Sequence, residues 1–204
     1  RVAIPESIED RPVTALAEWM FCDAPPREGS LEGMRDFPGT TCEALRTVLL
    51  PSTLRAIEPD AFYGCVALEA VRVAPGNRCF QVRGGALMTS DGKTLVLFPP
   101  GRPETEFRVP DGVERIEDGA FMRCARLRRI ELPASLRRIG RFAFAGCSSL
   151  RRLEIPEGVE AIGGEALAFC DSLKEVGVPA SVSAIGEHLM SRRYGTALKC
   201  APGS

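Results

Sequence analysis

Residues 109–130 read VPDGVERIEDGAFMRCARLRRI, and residues 132–153 read LPASLRRIGRFAFAGCSSLRRL. Residues 155–176, IPEGVEAIGGEALAFCDSLKEV, write the same pattern a third time. Pro110, Pro133, Pro156 and Pro179 lie 23 residues apart, and Ile116, Ile139, Ile162 and Ile185 keep the same step. So do Cys124, Cys147 and Cys170, and Leu127, Leu150 and Leu173. Coincidence at this many positions defines a tandem repeat, and a period of this length means stacked units. An earlier copy runs from Leu50–Pro51 through Leu54, Ile57, Ala61–Phe62, Cys65 and Leu68 to Val71. A later one, Val178–Pro179, Val182, Ile185–Gly186 and Leu189–Met190, keeps its first half and has lost the regularity of its second.

Each position has a mechanical reading. The pairs Ile130/Leu132, Leu153/Ile155 and Val176/Val178 alternate with the period of two of a short strand with one buried face. Proline ends that strand because it cannot donate to a ladder. Asp111–Gly112, Ala134–Ser135 and Glu157–Gly158 suit the turn that follows. A second extended piece begins at Val113 and its copies, and Gly140, Gly163 and Gly186 mark the next corner. Phe121, Cys124 and Leu127 then stand at i, i+3 and i+6, which predicts a single helical or 3₁₀ turn. Phe62, Phe121 and Phe144, with Leu167 and Met190 in the same slot, read as a core ladder. No unit buries its own apolar set, so neighbours must stack. The expected fold is therefore mixed α/β: one solenoid over residues 1–204, of about eight ~23-residue units. Its short strands form a ladder, with short helical turns on the convex side.

Two segments break the metre. The unit at 75–109 is 12 residues too long, and inside it Asp91–Gly92 separates two apolar runs, the signature of a β-hairpin. Residues 23–41, with Pro25–Pro26 and Pro38–Gly39, read as a long exposed loop insertion.

The 204 residues carry 26 basic and 27 acidic side chains, a net charge of −1. That balance gives no general attraction to nucleic acid or to an anionic membrane. Nucleic acid would also call for stacking aromatics, and only Trp19 and two tyrosines stand outside the phenylalanines. No window reaches 18 consecutive apolar residues, so no membrane insertion is expected. The opening Arg1-Val2-Ala3-Ile4-Pro5 carries no leader and reads as a mature or trimmed fragment.

Catalysis finds no constellation. His188 is the single histidine, and Cys170, Ser183 and Ser191 are its partners only by proximity in sequence. Gly84–Gly85 and Asp91–Gly92 are hairpin chemistry rather than phosphate cradles. Glu117–Asp118 and Glu9–Asp10 flank turns and read as solvated. Cys42, Cys65, Cys124, Cys147 and Cys170 share one register, so they point in parallel and cannot face one another as a disulfide requires. With no CxxC pair, no metal or other cofactor is implied, and reduced thiols acting as small hydrophobes are expected throughout. Cys22, Cys79 and Cys200 fall off-register. Unpaired thiols weigh against an oxidising compartment.

Charge lies in columns. On the strands before the prolines, the outward slots hold Arg129 and Glu131, then Arg152 and Glu154, then Glu175 and Gly177, with Arg128, Arg151 and Lys174 beside them. Glu114, Arg137 and Glu160 alternate in sign and look self-compensated. The arginine cluster is less compensated, so Arg128, Arg129, Glu131, Arg151, Arg152 and Glu154 are the candidate ligand patch. The competing reading is a solvated charged face.

The unit I-P-x-S/G-V/L-x-x-I-G-x-x-A-F-x-x-C-x-x-L-x-x-I resembles the BspA-like leucine-rich repeat of bacterial surface proteins. The start at Ile4–Pro5 and the insert Thr89-Ser90-Asp91-Gly92-Lys93-Thr94-Leu95 are similar to variants of that family. The resemblance implies a leucine-rich solenoid at the cell surface or secreted. It also implies adhesion to host glycoproteins such as fibronectin and fibrinogen, or co-aggregation with other bacteria. The expected function is non-catalytic binding of host or bacterial surface proteins or glycans through the strand-lined face. The alternative is a structural spacer or protein–protein scaffold in a larger surface protein, without a ligand of its own.

Overall fold

The computed structural model describes residues 1–8, 10–17, 21, 42–58, 61–190 and 197–200. The expected 23–41 loop, Cys22, Trp19 and Glu9 lie outside the described residues. Each regular rung runs through a pre-proline strand, a turn, a second strand, a glycine corner and a turn side. The pre-proline strands form two parallel ladders. One joins Val2–Ala3, Thr47–Leu50 and Ala70–Val73. The other joins Glu106–Arg108, Arg129–Glu131, Arg152–Glu154, Glu175–Val178 and Ala197–Cys200. Within strands the central apolar residue (Ile130, Leu153, Val176) is buried and its flanks face outward, as a period of two demands.

The second strands make a seven-stranded sheet in which Ala184–Ile185, Ala161–Ile162, Arg138–Ile139, Arg115–Ile116 and Thr94–Leu97 pair in parallel. The predicted hairpin is present, Ala86–Thr89 against Thr94–Leu97. A third strand, Phe80–Arg83, joins it antiparallel through the Gly84–Gly85 turn. The hairpin strands contribute to two buried clusters. Leu87 and Leu97 belong to the one that begins at Ile4, while Ala86, Met88 and Leu95 belong to the one that extends to Val178.

The expected helical turn is corrected: no α- or 3₁₀-helix occurs among the described residues. Two residues per rung hold left-handed backbone there. Gly119 and Arg123, Phe142 and Gly146, and Glu165 and Phe169 have φ between 52° and 76°, whereas a helix needs negative φ throughout. The N–H groups that a helix would use internally split between two destinations. Some close four-residue β-turns, such as Cys124 N–H to the Phe121 carbonyl at 3.1 Å. Others bond the next rung: Gly119, Phe121 and Arg123 donate to the carbonyls of Arg141, Ala143 and Ala145 at 2.7–2.8 Å. Consecutive β-turns that share an end residue, as Phe121–Cys124 and Cys124–Leu127 do, give apolar residues the same i, i+3, i+6 spacing as a helix.

The aromatic ladder stands inside this turn side. Phe98, Phe121 and Phe144 stack with centroids 5.6 and 5.2 Å apart. Phe62 instead stacks on Phe21 at 5.5 Å, in the other buried cluster. Cys65, Cys124 and Cys147 are buried and Cys42, Cys79 and Cys170 half-buried, all six as free thiols. The glycine corner comes from close approach: a Cβ on Gly163 would lie 2.4 Å from Arg141 N and 2.5 Å from the Gly140 carbonyl carbon.

Candidate functional site

The pre-proline ladder sets the charged face. Parallel register places Glu106 beside Arg129, Arg129 beside Arg152, and Arg152 beside Glu175. One column thus reads acid, base, base, acid. In the neighbouring column Arg108 pairs with Glu131, and Glu154 with Gly177. Rungs about 4.8 Å apart stack the two central arginines, and each turns to a carboxylate on its own strand. Arg129 Nη2 lies 2.8 Å from Glu131 Oε1, and Arg152 Nε lies 2.6 Å from Glu154 Oε1. Arg152 Nη2 also reaches Glu175 Oε1 at 3.9 Å. The hydrogen bond to Glu154, and then the attraction of both carboxylates, pushes the Arg152 guanidinium further up from its usual value. These pairs are exposed, and exposed pairs contribute little to stability.

Of the six candidate residues, Arg129, Glu131, Arg152 and Glu154 are brought together as two ion pairs. Arg128 and Arg151 stand one position upstream and are exposed. Their backbones continue the ladder, Arg151 N–H to Arg128 O at 3.4 Å and Lys174 N–H to Arg151 O at 3.0 Å. Glu106 and Arg108 escaped the sequence reading. Each sits 23 residues before a residue that it singled out, but the long unit preceding them hid the register.

Other sequence candidates have different surroundings. Glu117 is half-buried and paired with Arg115 at 2.8 Å; burial pushes its carboxyl up, with the neighbouring guanidinium opposing. Asp118 Oδ1 accepts the Arg141 N–H at 2.9 Å. Both are therefore part of the rung contacts rather than simply solvated. His188 is exposed on left-handed backbone. Among the described residues, no group of three or more His, Cys, Asp or Glu is placed to hold a metal ion.

Between Ala70–Val73 and Glu106–Arg108 the pre-proline ladder is interrupted. A cleft of about 700 Å³, lined by Arg46, Glu69, Gly101, Arg123 and Arg126 among others, opens there.

The stacked parallel ladder with inward leucine-type residues has counterparts among known leucine-rich repeat proteins. The family model described as BspA type leucine rich repeat region matches six copies, over residues 37–82 and 103–197. The chain belongs to the BspA-type leucine-rich repeat family. The six matched copies support a solenoid of about six turns, and the hairpin-bearing segment lies between the two matched stretches. A leucine-rich repeat protein from Eubacterium ventriosum superimposes with a TM-score of 0.76 at 20% identity, over 93% of this chain and 45% of that one. The pneumococcal vaccine antigen PcpA gives 0.70 at 27% identity, over 72% of this chain and 36% of that one. A leucine rich cell surface protein from Faecalibacterium prausnitzii gives 0.62 at 22%, over 99% and 59%. The chain thus spans between about a third and three fifths of these neighbours. No curated protein sequence matches it. Proteins of this family are generally non-catalytic binding modules, and no helix among the described residues is long and apolar enough to cross a membrane.

Proposed function

We propose that residues 1–204 act as one non-catalytic binding domain of a cell-surface or secreted bacterial protein. Its ligands are host or bacterial surface proteins or glycans, held on the strand-lined face by Arg128, Arg129, Glu131, Arg151, Arg152 and Glu154. The observation that carries this reading is the pre-proline ladder, which stacks charged side chains in register over four rungs, exposed at Glu106, Arg129 and Arg152 and half-buried at Glu175, while Ile130, Leu153 and Val176 stay buried. Family membership supports the binding role, and a cell-surface relative of the same fold agrees with the location.

The test is binding of the purified chain to a panel of immobilised matrix proteins and glycans at two salt concentrations. The variant is Arg129→Ala/Arg152→Ala. Reversal to glutamate is unsuitable because it would align four carboxylates from position 106 to 175 and destabilise the ladder by itself. Saturable binding that weakens with salt and falls at least tenfold in the variant supports the proposal. One observation favours the spacer reading: Arg129–Glu131 and Arg152–Glu154 already satisfy each other without a ligand. No binding across the panel would count against the ligand patch and favour that second reading.

A further inference from the structure

The strand-face ion pairs leave one column out. Arg128, Arg151 and Lys174 occupy successive rungs at one register, their backbones linked Arg151 N–H to Arg128 O and Lys174 N–H to Arg151 O. All three side chains are exposed, and among the described residues none of them forms an ion pair. The neighbouring carboxylates are engaged elsewhere: Glu131 by Arg129, Glu154 by Arg152, and Glu175 by Arg152. The other ladder supplies an internal comparison. Its equivalent positions, linked by Glu69 N–H to Arg46 O at 2.8 Å, hold Arg46 and Glu69, and these pair with each other. Only in the second ladder does the column become three stacked cations.

Like charges one strand spacing apart repel, and a row of them gains from any ligand that brings several anionic groups along the same line. The row is straight because a parallel ladder in constant register makes it so. It runs across the strands, along the stacking direction. At its head, Arg126 stands two residues before Arg128 and lines the 700 Å³ cleft, with Arg123 on the same wall. The cationic row therefore ends beside a recess of mixed charge, which Glu43, Arg46 and Glu69 also line.

We infer that this column is a binding site for a linear sulfated glycan, lying along Arg128, Arg151 and Lys174 with its end toward Arg126. This rests on the binding-module reading and assigns it a ligand class. An acidic peptide fits less well, because the backbone N–H groups of the column are already used between rungs and a peptide would find no ladder to extend. A nucleic acid lacks its stacking partners, since Phe98, Phe121 and Phe144 are buried. A sulfated polysaccharide needs neither, only charge-assisted contacts from side chains.

The probe is a size-defined heparin oligosaccharide, with unsulfated hyaluronan and a single-stranded oligothymidylate as the other two arms. Saturable heparin binding that weakens with salt is expected, with at least tenfold loss in Arg128→Ala/Arg151→Ala/Lys174→Ala. The control Arg78→Ala/Arg115→Ala/Arg138→Ala removes the same charge elsewhere and should change affinity less than twofold. Three results would overturn the site: no heparin binding by the parent, equal loss in both triple variants, or equal binding of hyaluronan or oligothymidylate. If heparin fails while an immobilised protein is still captured through Arg129 and Arg152, this inference falls and the broader reading stands.

Discussion

The thiol of Cys147 donates to the carbonyl oxygen of Phe121, 26 residues earlier and one rung away, at 3.2 Å. Cys170 does the same to Phe144 at 3.2 Å, and Cys124 to Phe98 at 3.6 Å. The Phe121 carbonyl also accepts the Cys124 N–H at 3.1 Å, so one oxygen ties its own turn to the next rung. Cysteine suits this slot because it is small and apolar yet carries a weak donor.

Cys147→Ala should therefore lose both packing and that donor, lowering the unfolding free energy by about 1–2 kcal/mol. Cys147→Val adds bulk to a fully enclosed site and should cost about 1–3 kcal/mol. Urea unfolding of the three proteins, compared at constant slope, measures both. An alanine variant as stable as the parent would show that the thiol contributes nothing here.

Burial also pushes these thiols up, Cys170 to about 12, with Cys124 and Cys147 likewise raised. Unfolded cysteine titrates near pH 8.5. Above that pH the unfolded chain releases protons that the folded chain retains, so stability is complete below it and falls as pH rises toward the folded value. Each buried thiol should contribute a loss of about 1.4 kcal/mol per pH unit. Denaturant unfolding at pH 8, 9 and 10 reads the slope, and Cys170→Ala should make it shallower by one thiol's share. An unchanged slope would mean that Cys170 ionises in the folded protein.

Phe121 and Phe142 lie one rung apart but have different environments. Phe121 is fully buried between Phe98 and Phe144. Phe142 is half-buried, holds φ at 52° and lies under the Arg141 guanidinium. Phe121→Ala should cost about 3–5 kcal/mol as a cavity. Phe142→Gly should cost less than about 1 kcal/mol, because glycine relieves the left-handed backbone that phenylalanine tolerates poorly. Thermal unfolding of the two variants checks the order, and the reverse order would misplace the ladder.

Spacing alone carried most of the architecture. The 23-residue step put Phe121 and Phe144 in one column and Arg129 over Arg152, and both placements hold in the structure. The turn side was misjudged because i, i+3, i+6 does not distinguish a helix from successive turns. Nothing in the identity of Phe142, Glu165 or Phe169 announces positive φ, since side chains of those types rarely adopt it. Phe98 was legible by subtraction, 23 before Phe121, yet the hairpin around it drew attention to its strand. The 23-residue step already put Glu175 at one end of the arginine column, whereas Glu106 closes the other end only once the strands are paired.

The glycine corner is where that register can be tested most directly. In Gly163→Ala the new Cβ meets Arg141 N at 2.4 Å and the Gly140 carbonyl carbon at 2.5 Å. Both are backbone atoms, so no side chain can rotate away and the rungs themselves must part. That would strain contacts such as the 2.8 Å bond from Gly163 N–H to the Ile139 carbonyl. Alanine normally stabilises by about 0.4–1 kcal/mol through the unfolded state when the backbone allows it, so a net loss of about 2 kcal/mol here would come from packing alone. Gly112→Ala is the counterpart: its φ is +91° with nothing within 4 Å of a Cβ, so only backbone strain of about 1–2 kcal/mol opposes it. The two differ in kind as well as size. Because solenoid stability is carried by neighbour interfaces, Gly163→Ala should broaden the urea transition as the rungs on either side begin to unfold separately, while Gly112→Ala should only shift it. A sharper or more stable transition in Gly163→Ala would show that the rungs do not approach backbone to backbone at this corner.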